Sequence, residues 1–199
     1  TNMFMSGIKA IDTLYLSPLL FPAIPYHALL KDDKLQTEEL NNPLNDAIKA
    51  KDLFYDEISA FHELNNELKQ IYCALLGDKK EFQWFFDFVD YSLTDIYIAS
   101  LIQKTFLDKI CQSVDIENLI RETPIELAYC LALINTNSRY SITPPWVIKN
   151  YPEVERVMYL LRNNPCLQGC TYCNKSLDAK IGLKKYFGFE SYRTFGGKA

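Results

Sequence analysis

From Pro43 onward the apolar positions recur at three- and four-residue spacing, the period of a helix with one buried side. Asn42 can cap the first such stretch and Pro43 suits its first turn. Leu44, Ala47, Ile48, Phe54, Ile58 and Phe61 then form the stripe expected to be buried. Asn65-Asn66 breaks or weakens this helix, and Gly77 is a natural C-terminal stop. Between Asp78 and Asn163 the pattern is helical throughout. Glu81–Val89 is dense in aromatics, and Thr94–Cys111 places Ile98, Ile102, Phe106 and Ile110 on one side. Pro124–Ile134 is apolar almost all round, which predicts a central core helix. Thr143-Pro144-Pro145 and Tyr151-Pro152 each predict a turn and a new helix. Only Ile8–Leu16 reads as a strand, being short and rich in Ile, Leu and Tyr ahead of the breaker-rich stretch Ser17–Pro25. A polar loop over Lys31–Asn42 separates it from the helices.

Composition narrows the classes. The 199 residues are 48% hydrophobic and 23% charged, which suits a folded core and excludes a disordered tail or a fibre. No apolar run approaches the roughly 18–20 residues of a membrane span. A net charge of -4 argues against holding nucleic acid by bulk charge, so any DNA contact needs a local basic patch. Such a patch is available in the C-terminal third, from Lys149, Arg156, Arg162, Lys175, Lys180, Lys184 and Lys185. The first residues carry no basic-then-apolar leader, and cysteine usage does not resemble a disulfide framework, so the expected location is the cytoplasm. The aromatic run at helical spacing is read as packing rather than as a base-stacking platform. His27 and His62 have no partner pattern and are read as ordinary surface or half-buried residues.

The chemistry concentrates at Cys166-Leu-Gln-Gly-Cys170-Thr-Tyr-Cys173. Thiolates are soft ligands, and a Cys-x-x-Cys turn aims two of them at one centre. Gly169 permits the tight backbone this requires. Zinc, an iron–sulfur cluster and reduced thiols in a capped turn are the three readings, with structural zinc the first choice. A fourth ligand could come from Cys111, Cys130, Asp178, His62 or another chain. The spacing also matches a radical-SAM cluster motif, but only 26 residues follow Cys173, too few for the barrel such a motif opens.

Two stretches resemble known families. Ile11-Asp12-Thr13-Leu14, Leu16-Ser17 and Leu19-Leu20-Phe21-Pro22, followed by Asn41-Asn42-Pro43-Leu44-Asn45-Asp46-Ala47, are similar to the C-terminal half of DnaQ-like (DEDD) 3′–5′ exonuclease domains. The resemblance implies an RNase H-like remnant with Asp46 at the last metal-binding position and Asn41 where a general-base His would stand. Asn cannot take a proton from water, and one carboxylate cannot hold two divalent ions, so no cleavage is expected of this chain alone. Asp46 also reads simply as an exposed first-turn acid favoured by the helix dipole. Gly182–Arg193 resembles the opening of the RecQ-family helicase core, which implies nucleotide-contacting positions at Phe187, Phe189, Tyr192 and Arg193. The stretch also reads as a short amphipathic helix with Lys184 and Lys185 in solvent. The chain carries no G-x-x-x-x-G-K-[ST] loop, so ATP and magnesium belong only to an intact parent protein.

The expected fold is mainly α: a helical bundle with a small truncated α/β remnant at the N-terminus and a cysteine knuckle near the C-terminus. The expected divisions are 1–77, 78–165 and 166–199. The expected function is a non-catalytic accessory or scaffold segment of a RecQ-like DNA helicase. It would contact DNA, through Lys175, Lys180, Lys184 and Lys185, or the motor. The alternatives are a protein-interaction module, or a partial exonuclease whose missing parts another chain supplies. No membrane partner is expected.

Overall fold

The structure is a computed structural model that describes residues 9–24, 43–136 and 143–188. Among the described residues eleven helices follow one another and no strand occurs. They are α1 (Thr13–Leu20), α2 (Pro43–Glu63), α3 (Asn66–Leu76), α4 (Gln83–Phe88), α5 (Ile98–Thr105) and α6 (Ile116–Glu122). They continue with α7 (Pro124–Asn135), α8 (Pro145–Asn150), α9 (Val154–Arg162), α10 (Thr171–Ser176) and α11 (Asp178–Phe187). None is long and apolar enough to cross a membrane.

The apolar stretch Pro124–Ile134 is central, as its all-round pattern predicts. Leu127 through Ala132 and Ile134 are buried in α7, and α1, α3, α6 and α9 pack against it. Two polar contacts fix its neighbours. Tyr129 Oη donates to the Tyr15 carbonyl at 3.0 Å, and Cys130 Sγ to the Val154 carbonyl at 3.4 Å. The aromatic run is packing material. Phe61 meets Phe85, Phe86 and Tyr91 edge-on at 5.6, 5.8 and 5.7 Å, the geometry that aromatic quadrupoles favour. Buried Gln70 organises the link from α4 to α5, donating to Tyr91 Oη at 3.0 Å and accepting from Thr94 N–H at 3.0 Å. Asn65 ends the long helix and caps the next, accepting from Leu68 N–H at 2.8 Å.

Two expectations are corrected. The segment read as a strand is a helix from Thr13 onward, with residues 9–12 in no regular element. Asp12 caps it, accepting from Leu14 N–H at 2.9 Å, and Leu16, Ser17, Pro18 and Leu19 are all buried. Consecutive burial against α7 and α2 replaces the alternating burial of a strand, and the cap at Asp12 outweighs β-propensity. The α/β remnant therefore has no strand among the described residues. Second, the stripe of α2 is buried only toward its C-terminal end. Phe61 is buried and Phe54 and Ile58 half-buried, whereas Leu44 and Ile48 are 64% and 44% exposed. The reason is length. A 21-residue helix runs about 31 Å, while its main packing partner α1, with 8 residues, covers about 12 Å.

Glu57 departs from the rule that buried polar groups are hydrogen-bonded. It faces the core from α2 with no exposed surface, and neither carboxylate oxygen has a hydrogen-bond partner. Burial, with the carboxylates of Asp12 and Asp56 adding to it, pushes its pKa up from 4.5 to about 8. A raised pKa means that the folded protein holds its proton where the unfolded chain has released it. The stability tied to the neutral acid is complete below about pH 4.5 and is lost as pH rises toward 8. Glu57→Gln should therefore match the parent near pH 4 and exceed it by on the order of 2–3 kcal/mol at pH 7. Urea unfolding across that pH range measures the difference.

Candidate metal centre

Cys111 ends the turn after α5, and Cys166, Cys170 and Cys173 lie in and beside the loop that opens α10. Their four sulfurs all lie within 4.8 Å of one another. Backbone geometry produces the convergence. The Cys111 N–H donates to the Leu161 carbonyl at 2.8 Å, which ties the turn to the last residues of α9. The chain leaves α9 through Asn163-Asn164-Pro165 and folds back at Gly169, whose φ is +71. Asn174 secures this bend, its Nδ2 donating to the Gly169 carbonyl at 2.5 Å. Cys170 is extended just before α10 and so serves as its N-cap residue, while Cys173 rides inside the first turn.

Backbone amides are aimed at the sulfurs. Cys170 N–H donates to Cys166 Sγ at 3.2 Å, and Gln112 N–H to Cys170 Sγ at 3.4 Å. Such bonds favour thiolate over thiol. Burial works against ionisation of Cys166, but the Cys170 N–H and the side chains of Ser113, Cys170 and Cys173 outweigh it and hold its pKa at about 6. Burial dominates at Cys111 and Cys173. It pushes Cys111 up despite the Ser113 N–H and the Cys173 side chain, and pushes Cys173 up further. Cys111 and Cys173 are buried, and Cys166 and Cys170 are half-buried. With Tyr172 and Leu177 the two buried cysteines form a small apolar cluster separate from the main core. The arrangement is a closed four-sulfur set able to take one ion, with its amides supplying part of the outer hydrogen bonding that orients metal ligands.

The other residues weighed as the fourth ligand lie elsewhere. Cys130 sits in the main core against Val154, Asp178 accepts from Ala179 N–H at 2.7 Å, and His62 is exposed near the end of α2. Asp46 is exposed in the first turn of α2 and is not among the grouped ligands. The clue to Cys111 was its position directly after the buried stripe that ends at Ile110, where the chain turns.

Two of the basic residues serve the knuckle itself. Arg162 Nε donates to Tyr172 Oη at 3.2 Å and its guanidinium lies 5.6 Å over that ring, while Lys180 Nζ donates to the Asn163 carbonyl at 3.5 Å. Arg156 pairs with Glu153. Lys149, Lys175 and Lys185 are exposed, and Lys184 is half-buried. Phe187 is 59% exposed at the end of α11, which Gly188 closes in the left-handed conformation at φ +71. Phe189, Tyr192 and Arg193 lie outside the described residues, as do His27 and Asn41. Comparison with protein-family models, curated proteins and solved structures gave no match.

A side chain at position 169 meets two obstacles: φ is +71, and an added Cβ would stand 2.4 Å from Asn174 Oδ1. Gly169→Ala should destabilise the knuckle by about 1–2 kcal/mol. Loaded with zinc, the variant should surrender it to a colorimetric chelator sooner than the parent does.

Proposed function

We propose that the chain is a helical adaptor clamped by one structural zinc ion on Cys111, Cys166, Cys170 and Cys173. The mutual approach of the four sulfurs, all within 4.8 Å, carries this reading. A zinc ion with thiolates at about 2.3 Å needs tetrahedral sulfurs roughly 3.8 Å apart, so an inward shift of at most about 1 Å completes the site. A cluster of several irons and sulfides would spread its thiolates more widely. Purified under reducing conditions, the protein should carry about one zinc per chain by elemental analysis. Cys111→Ser and Cys173→Ser should abolish binding, while Cys130→Ala should keep it. Iron in place of zinc, or metal retained without Cys111, would contradict the assignment.

The wider role we propose for the adaptor is an accessory segment beside the motor of a RecQ-like DNA helicase, contacting DNA. The resemblance of Gly182–Arg193 to the opening of that core supports it, as does the helix that α11 forms over the first part of this stretch. Exposed Lys149, Lys175 and Lys185 would contribute the phosphate contacts. The loss of the expected strand removes support from a nuclease role, and none is proposed. Fluorescence anisotropy should show weak DNA binding whose log–log salt slope is about -2 to -3, falling toward zero when the three lysines are reversed to Glu. A second reading, a protein-interaction module, is favoured by Leu44, Ile48 and Tyr55, which are 64%, 44% and 58% exposed on α2. Light scattering showing a stable oligomer, lost on Leu44→Glu/Ile48→Glu, would favour it over DNA contact.

A further inference from the structure

Away from the cysteines, a groove of about 690 Å³ opens between residues 9–15, the middle of α2 and the turn before α4. Three lysines from three separate segments line it: Lys9, Lys51 and Lys80. Lys9 Nζ lies 4.6 Å over the Trp84 ring, and Lys51 pairs with Asp52 at 3.2 Å, where both side chains are about 60% exposed. Such an exposed pair is weak and exchangeable. Among the described residues neither Lys9 nor Lys80 has an ion-pair partner. Two carboxylates, Asp12, which caps α1, and Glu81, also line the groove, so its lining side chains carry one positive charge in excess.

The remaining wall is aromatic. Tyr15 and Phe54 line the groove, and each is braced by other rings. Tyr15 meets Trp146 edge-on at 5.3 Å and Phe82 at 6.1 Å, and Phe54 meets Phe88 at 5.2 Å. Three lysine ammonium groups, one in excess of the lining carboxylates, beside fixed ring surface in a space of small-ligand size suit an anion that carries a planar ring. We propose that this groove binds a mononucleotide, with its phosphates toward Lys9, Lys51 and Lys80 and its base against Tyr15 and Phe54. The proposal does not depend on the metal centre or on DNA contact.

The test uses the full chain and a fluorescently labelled ATP, followed by anisotropy at low and moderate salt. Saturable binding that weakens with salt, displaced by unlabelled ATP at concentrations at least roughly tenfold below those needed of inorganic phosphate, is the expected result. Lys51→Glu/Lys80→Glu should weaken binding by about tenfold or more, and Lys104→Glu/Arg121→Glu, at exposed cations outside the groove, should leave it unchanged. The charge-neutral Lys51→Gln/Lys80→Gln, with an intermediate loss, guards against a folding defect in the reversal. No saturable binding, equal displacement by phosphate, or equal loss in both Glu pairs would overturn the proposal.

Discussion

The last two helices are held by the contact between the Cys111 turn and the Cys166–Cys173 loop. The main core closes around α7 and ends at Leu161. Beyond it, the packing that fixes α10 is a cluster of four buried residues, two of them cysteines. Each such side chain contributes roughly 1.5–3 kcal/mol at most, against an ordering cost of about 1–2 kcal/mol per residue for the segment it must fix. So small a cluster holds the segment poorly by itself. Closing the sulfurs on one ion would make metal-binding energy into folding energy, the usual device where the core is too small. The knuckle's supports point the same way. Asn174 on Gly169, Arg162 on Tyr172 and Lys180 on Asn163 all hold the loop in the shape that gathers the sulfurs.

This use of side chains bears on function. Arg162 and Lys180 read in the sequence as cations for phosphate, yet both are engaged in keeping α10 and α11 against the end of α9. That leaves Lys149, Lys175 and Lys185 exposed, with Lys184 half-buried, as the cations the proposed DNA contact could draw on. The long α2 extends past α1 and leaves Leu44 and Ile48 uncovered, and on the same helix the Glu57 carboxyl is buried with its pKa pushed up to about 8.

Much of the fold was legible because burial is periodic. The all-round apolar α7, the Ile98–Ile110 side and the proline-marked starts of α7 and α8 needed no tertiary information. The failures have physical causes. In Ile8–Leu16 a short apolar run fits either period, and the decision rested on the Asp12 cap and on two neighbouring helices. The exposure of Leu44 and Ile48 could not be read from their spacing, because periodicity shows which side is apolar and not how far the partner reaches. At the metal centre the three clustered cysteines were evident from spacing. Choosing Cys111 over Cys130 required knowing that the end of α9 returns to the turn after α5.

The central claim is that four sulfurs hold one ion and thereby fix the C-terminal helices. X-ray absorption at the zinc edge on the purified protein tests it most directly. The account predicts a first shell of four sulfur neighbours at about 2.3 Å with no nitrogen or oxygen component. A shell containing a light-atom ligand, a shell of fewer than four sulfurs, or a metal–metal distance indicating a cluster would contradict it.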